Sequence, residues 1–266
     1  MADILDTIVA HKRKEVELFK QELPLSELAH RVEIIMGARP VSMAENLRNS
    51  DTGIIAEFKR KSPSKGWFNK DADVRTVCRS YQDNGATALS ILTDMHFFGG
   101  SNVDMRDAHL SKISLPTLYK NFIIDEYQLY QARLNKANAV LLIAACLSKD
   151  ECRTFMEKAH SLGMEVLLEM HSEAETDYAD ILPDMCGINN RNLGTFDTDV
   201  NNSVNLAARL PDSCIKVSES GISDPSTVHM LRSLGYRGFL MGEHFMRTPD
   251  PGLTLAQFIA SLRAFG

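Results

Sequence analysis

The residues richest in chemistry fall in one short stretch, Ile54-Ile55-Ala56-Glu57-Phe58-Lys59-Arg60-Lys61-Ser62-Pro63-Ser64-Lys65-Gly66. Its apolar opening, Ile54 to Ala56, suits a strand buried on both faces. Side chains alternate along a strand, so Glu57 and Lys59, two residues apart, point to the same side. A carboxylate and an ammonium delivered together can transfer protons or hold an anion. The polar run from Ser62 to Gly66 cannot prolong a strand and reads as a loop, which places the pair at a strand's C-terminal end. Taken alone, such a pair is more often an ion pair that caps an ordinary strand.

Similar residues recur at the ends of later apolar runs. Leu92-Thr93-Asp94 is followed by His96-Phe97-Phe98 on a glycine-rich loop, Gly99-Gly100-Ser101. Lys120, Asn121 and Phe122 come next, then Glu169, then Asn189 and Arg191, which share a face by the period of two. Glu219-Ser220-Gly221 and Gly242-Glu243 close the series. Each has an ordinary alternative: a solvated Lys120, a helix cap in Glu169, turn residues at Asn189 and Asn190, core packing for Phe98 and Phe122. Together they put two lysines, several glutamates, an asparagine and an arginine where a structural core would want apolar side chains.

The elements that must position them are short apolar runs alternating with amphipathic segments. Strands are expected at Ile54–Phe58, Ala88–Leu92, Thr117–Tyr119, Ala139–Ile143, Val166–Glu169, Gly187–Asn189, Ile215–Ser218 and Gly238–Met241. Helices are expected between them, at Val74–Asn84, Asp104–Lys112, Glu126–Asn135, Lys149–Leu162, Ser172–Ala179, Val204–Arg209, Pro225–Leu234 and Leu253–Phe265. Glycines after Asn84, Leu162 and Leu234 fit helix ends, and Ser223-Asp224-Pro225 fits a helix start. Eight such units imply an α/β fold, one (β/α)8 TIM barrel spanning 53–266. Two helices, Ala2–Glu22 and Leu25–Met36, the second started by Ser26 and ended by Gly37-Ala38-Arg39-Pro40, form an N-terminal helical extension within 1–50. The whole chain, 1–266, reads as a single domain. No G-x-G-x-x-G follows the first strand, which argues against a dinucleotide site. Small residues in the loops after strands seven and eight, Ser220-Gly221 and Gly242-Glu243, let backbone N–H groups approach a phosphate, although routine turns need small residues too.

Composition narrows the class. The 266 residues are 44% hydrophobic and 24% charged, with a net charge of -6, which gives no reason to expect nucleic acid or an anionic membrane as partner. The five scattered cysteines read as buried small hydrophobes in a reducing cytoplasm, and the eight histidines show no ligand spacing, so neither metal nor cofactor is expected.

In sequence order these residues resemble the signature of the indole-3-glycerol phosphate synthases: Glu57-Phe58-Lys59-Arg60-Lys61-Ser62-Pro63-Ser64, Leu92-Thr93-Asp94 with Phe98 and Gly100-Ser101, Lys120-Asn121-Phe122-Ile123, Leu168-Glu169, Gly187 to Leu193, Ser218 to Ile222, and Met241-Gly242-Glu243. The resemblance covers essentially the whole chain. It implies an extension packed over the barrel mouth and conversion of 1-(2-carboxyphenylamino)-1-deoxyribulose 5-phosphate to indole-3-glycerol phosphate, with loss of carbon dioxide and water, in tryptophan biosynthesis.

The resemblance also implies roles. Lys120 would be the general acid on the substrate carbonyl, Lys59 the partner of the anthranilate carboxylate, and Glu169 the acid/base of dehydration. Glu57 would position and charge-balance the two lysines, and Asn189 would orient the substrate. Arg191 and Glu219 would support it, Ser62 and Ser220 would contact it, and Phe98 and Phe122 would wall an aromatic slot. Ser220, Gly221, Gly242 and Glu243 would hold the phosphate. Asn121 departs from the family's usual Asp; strand alternation should turn it away from Lys120. A monomer is expected rather than an obligate oligomer, with at most weak association with other enzymes of the pathway. Two rivals stand beside this reading: a phosphoribosylanthranilate isomerase-like enzyme, whose strand-one cysteine is replaced here by Glu57, and an inactive phosphate-binding barrel serving as an assembly subunit.

Overall fold

The protein is described by a computed structural model covering residues 4–37, 40–192 and 194–265. Ala2, Ala38, Arg39 and Leu193, named in the sequence reading, lie outside them. Eight strands close into a parallel barrel: β1 (Ile54–Phe58), β2 (Ala88–Leu92), β3 (Thr117–Lys120), β4 (Ala139–Ile143), β5 (Glu165–Met170), β6 (Met185–Asn189), β7 (Ile215–Glu219) and β8 (Tyr236–Met241). Each pairs with the next, and β8 returns to β1 through Ile54 opposite Phe239, Ile55 opposite Leu240 and Ala56 opposite Met241. The strands are short, aliphatic runs because both faces are covered, one by the barrel interior and the other by the helical ring.

Helices α1 (Ile4–Glu22), α2 (Leu25–Ile35) and α3 (Met43–Asn49) precede the barrel. The ring then runs α4 (Val74–Asp83), a single turn α5 (Met95–Phe98), α6 (Asn102–Leu110), α7 (Glu126–Leu134), α8 (Lys149–Ser161), α9 (Asn201–Leu206), α10 (Pro225–Ser233), a second single turn α11 (Glu243–Met246) and α12 (Pro251–Arg263). Gly85, Gly163 and Gly235 take positive φ just past helix ends, and Asp224 accepts from Ser226 N ahead of Pro225, as the turn chemistry implies.

Four expectations need correction. Ser26 does not cap α2; Pro24 holds the cap position and Ser26 lies inside the first turn, since a proline's fixed φ already suits a helix entry. The segment after β5 is a 3-10 helix, Glu173–Ile181, rather than an α-helix over Ser172–Ala179. The segment after β6 starts at Asn201 and ends as 3-10 turns at Arg209. Finally, α3 was not expected at all. It inserts Met43 and Leu47 into the cluster that fills the barrel interior with Ile55, Leu118, Leu141, Leu167 and Val217, and so closes the end opposite the strand C-termini. Glu165, at the start of β5, accepts from Met43 N and Ala44 N at 2.7 and 2.9 Å, and this anchors the plug.

Candidate active site

At the C-terminal ends of the strands lies a cavity of about 800 Å³, and all fourteen residues singled out from the sequence line it. Ile4, Leu5 and Ile8 of α1 line it too, so the first helix of the extension lies over the mouth, while α3 sits at the other end of the barrel.

β1 presents Glu57 and Lys59 on one side, as period two requires, with Glu57 Oε1 2.7 Å from Lys59 Nζ. Ser90 Oγ of β2 donates to Glu57 Oε2 at 3.4 Å. Lys120 ends β3 and donates to two carboxylates, Glu169 Oε2 of β5 at 2.7 Å and Glu219 Oε2 of β7 at 2.9 Å. Glu57 pairs directly with Lys59 and acts on Lys120 through its charge, while Glu169 and Glu219 bond Lys120 directly. The side chains of Glu57, Glu169 and Glu219 are each no more than 4% exposed, so these pairs act in a low-dielectric setting.

That setting divides the carboxylates. Burial works to lower Lys120, but Glu169, Glu219 and Glu57 outweigh it and hold the ammonium well above the usual lysine range. Burial works to raise Glu169, and Lys120 with His171 outweighs it, keeping this carboxylate well below its ordinary range. Burial pushes Glu219 up and adjacent Glu169 reinforces the shift, because two carboxylates facing one ammonium cannot both ionise freely. The site therefore pairs a firmly ionised Glu169 with a Glu219 that holds its proton more readily.

The rim completes the cavity. Phe98 and Phe122 both line the cavity and pack against one another, with centroids 5.9 Å apart and an interplanar angle of 33°, an aromatic wall on which a planar ring can rest. Arg191 Nη1 donates to Ser64 Oγ at 3.2 Å, and its Nη2 lies 3.7 Å from Glu243 Oε2, tying the loops after β1, β6 and β8 together. Asn189 Oδ1 accepts from Arg191 N at 3.0 Å. Ser62 Oγ is buried on the cavity wall with no hydrogen-bond partner among the described residues. Ser220 and Gly221 both take positive φ, and a Cβ on Gly221 would lie 2.5 Å from Thr198 Cγ2. Gly242 occupies the N-cap of α11. Asn121 faces away from Lys120, as alternation implies: its Nδ2 donates to Thr93 Oγ1 at 2.9 Å and to Thr93 O at 3.2 Å.

Sequence reasoning missed His171, whose Nε2 sits 3.2 Å from Glu169 Oε1. The signal was present: His171 follows Glu169 by two residues, the same spacing that exposed Glu57 and Lys59.

Similarity to known proteins agrees with this arrangement. The family profile described as indole-3-glycerol phosphate synthase matches residues 5–258. The chain is 53% identical to the indole-3-glycerol phosphate synthase of Bacteroides thetaiotaomicron, covering 99% of this chain and 100% of that one. It is 41% identical to the protein of the same name from Aromatoleum aromaticum, covering 95% and 97%. Among solved structures, 3-hexulose-6-phosphate synthase from Salmonella typhimurium superposes with a TM-score of 0.61 at 12% identity, over 79% of this chain and 99% of the other. The Pyrococcus furiosus tryptophan synthase complex gives 0.59 at 12%, over 80% and 98%. Those two likenesses concern the barrel fold alone. The chain belongs to the indole-3-glycerol phosphate synthase family.

Proposed function

We propose that this protein closes an indole ring, converting 1-(2-carboxyphenylamino)-1-deoxyribulose 5-phosphate to indole-3-glycerol phosphate, carbon dioxide and water. The observation that carries the reading is Lys120 held between Glu169 and Glu219, in one cavity with Lys59 and the Phe98–Phe122 wall. Lys59 draws the anthranilate carboxylate so that the ring carbon bearing it meets the carbonyl carbon. Lys120 gives a proton to the carbonyl oxygen as the carbon–carbon bond forms. Loss of carbon dioxide returns electrons to the ring. Glu169 then takes and returns the proton that lets the hydroxyl leave as water, with Glu219 as its protonated neighbour. Asn189 and Ser62 orient the chain of the substrate. Backbone N–H groups about Ser220, Gly221, Gly242 and Glu243 hold the phosphate, with Arg191 fixing the loops around it. The extension and barrel act as one unit, a cytoplasmic monomer that associates at most weakly with neighbouring enzymes of tryptophan biosynthesis; sedimentation at the mass of one chain checks the monomer.

The decisive assay mixes protein with this substrate, without added metal or nucleotide and with EDTA present, and follows indole fluorescence. A rise is expected. Calorimetric binding without a rise would favour the non-catalytic barrel. Lys120→Ala should cut kcat on the order of 10² to 10⁴ with a smaller change in KM.

A further inference from the structure

His171, just past the end of β5, is a largely buried ionisable side chain against Glu169 to which the proposed reaction gives no task. Its Nε2 lies 3.2 Å from Glu169 Oε1 and its Nδ1 lies 3.6 Å from Glu175 Oε2, with the side chain only 10% exposed. The residue is fixed through its backbone as well: Glu175 Oε2 also accepts from His171 N at 2.5 Å, and Asn202 Nδ2 donates both to His171 O and to Asn189 O, at 3.0 and 3.1 Å. Among the described residues neither ring nitrogen makes an aligned hydrogen bond, so charge rather than direction sets the contact.

We propose that His171 is a positioning residue for Glu169: wedged between Glu169 and Glu175, it supplies the countercharge that remains when Lys120 turns toward the substrate. The inference rests on the synthase reading above. In the free protein Glu169 shares Lys120 with Glu219. Once the ammonium faces the substrate carbonyl, Glu169 would be a buried carboxylate beside Glu219 with no cation, and it would take up a proton prematurely. His171 stays behind and prevents this. The other titratable group against the pair is Cys146, whose thiol burial pushes up to about 12, with Glu169 and Glu175 adding to the shift, so it remains neutral. Burial works to lower His171, and Glu169 with Glu175 reverses that and raises it to about 10, so the ring is cationic throughout the working range.

Two measurements test the inference. The first is the pH profile of kcat, which reports the substrate complex in which Lys120 has turned away, for His171→Asn and, as a milder variant, Glu175→Gln. With the countercharge gone, Glu169 must be ionised at a higher pH, so the acid limb should move up by about one to two pH units in His171→Asn, with a smaller shift in Glu175→Gln. An unchanged limb accompanied only by lower thermal stability would reduce His171 to a structural role and overturn the proposal. The second is the imidazole resonance of His171 in the unmutated protein, assigned by its loss in His171→Asn. It should report a protonated ring at pH 8 and titrate closer to an ordinary histidine in Glu169→Gln; a neutral ring at pH 7 would overturn the proposal without any assay of turnover. A protein with no synthase turnover at all would instead strike at the proposed reaction, and the resonance would still decide the charge of His171.

Discussion

A methyl group added at Gly242 would lie 2.6 Å from Glu57 Oε1 and 2.9 Å from its Cβ, and one added at Gly187 would lie 2.5 Å from Glu219 Oε1. These two glycines make the room in which the carboxylates meet the lysines. Gly187→Ala should therefore push Glu219 off Lys120, with a stability loss of about 1–3 kcal/mol and a lower kcat; chemical denaturation and steady-state kinetics read the two effects separately. Asn121 gives the opposite expectation. Thr93 Oγ1 already sits 3.3 Å from the Lys120 carbonyl while accepting from Asn121 Nδ2, so a carboxylate at 121 would face the Thr93 carbonyl without a donor. Asn121→Asp should cost about 1–3 kcal/mol of stability and leave kcat nearly unchanged, which thermal melts beside an activity assay would show. Much at this scale was legible, because period two alone brings Glu57 with Lys59 and Asn189 with Arg191. The assignment of partners was not: that Glu219 rather than Glu57 bonds Lys120 depends on barrel closure, which places β7 within reach of β3 across the interior.

Helix α1 owes its seat to a buried ion pair that its own sequence does not advertise. Lys12 Nζ lies 2.7 Å from Asp94 Oδ2, with side chains 1% and 0% exposed, and also reaches Glu15. Burial works to lower Lys12; Asp94 and Glu15 outweigh it, so the ammonium stays charged beneath the helix. Nearby, His11 stacks on His96 with centroids 4.4 Å apart. Lys12→Ala would strand Asp94, and losses of about 3–5 kcal/mol follow when one partner of a buried pair is removed. Because the same helix sets Ile4 and Ile8 against the cavity, KM should rise as well; denaturant unfolding and a substrate titration of the variant check both. The sequence showed α1 as amphipathic, yet among Lys12, Arg13 and Lys14 nothing local marks the residue that turns inward, since its partner lies far along the chain. The plug α3 escaped for a different reason: its seven residues span too few turns for an apolar period to emerge.

Across the whole molecule, acid sensitivity has an identifiable source. Burial holds His109 down to about 4, with Lys136 contributing, while its ring lies 3.2 Å from Thr117 Oγ1. Its folded pKa is below the unfolded one, so the unfolded chain binds the extra proton between the two values. Stability should therefore fall as pH drops from about 6.5 toward 4, by up to about 3 kcal/mol from this residue. Urea midpoints measured across that window should flatten in His109→Gln. The alternation of eight strands and helices made the barrel readable from one end of the chain to the other, but closure itself was inferred from the count and is a property of no single segment. It also carries a consequence for biogenesis. One edge of β1 is completed only by Phe239 and its neighbours in β8, so a nascent chain exposes that edge from the moment Ile54 leaves the ribosome until Tyr236 and the residues after it follow. Such an apolar, fully extended edge is a template for pairing with another chain. A translation product cut short before Tyr236 would carry the open edge for its whole lifetime, and aggregation through β1 is its expected fate.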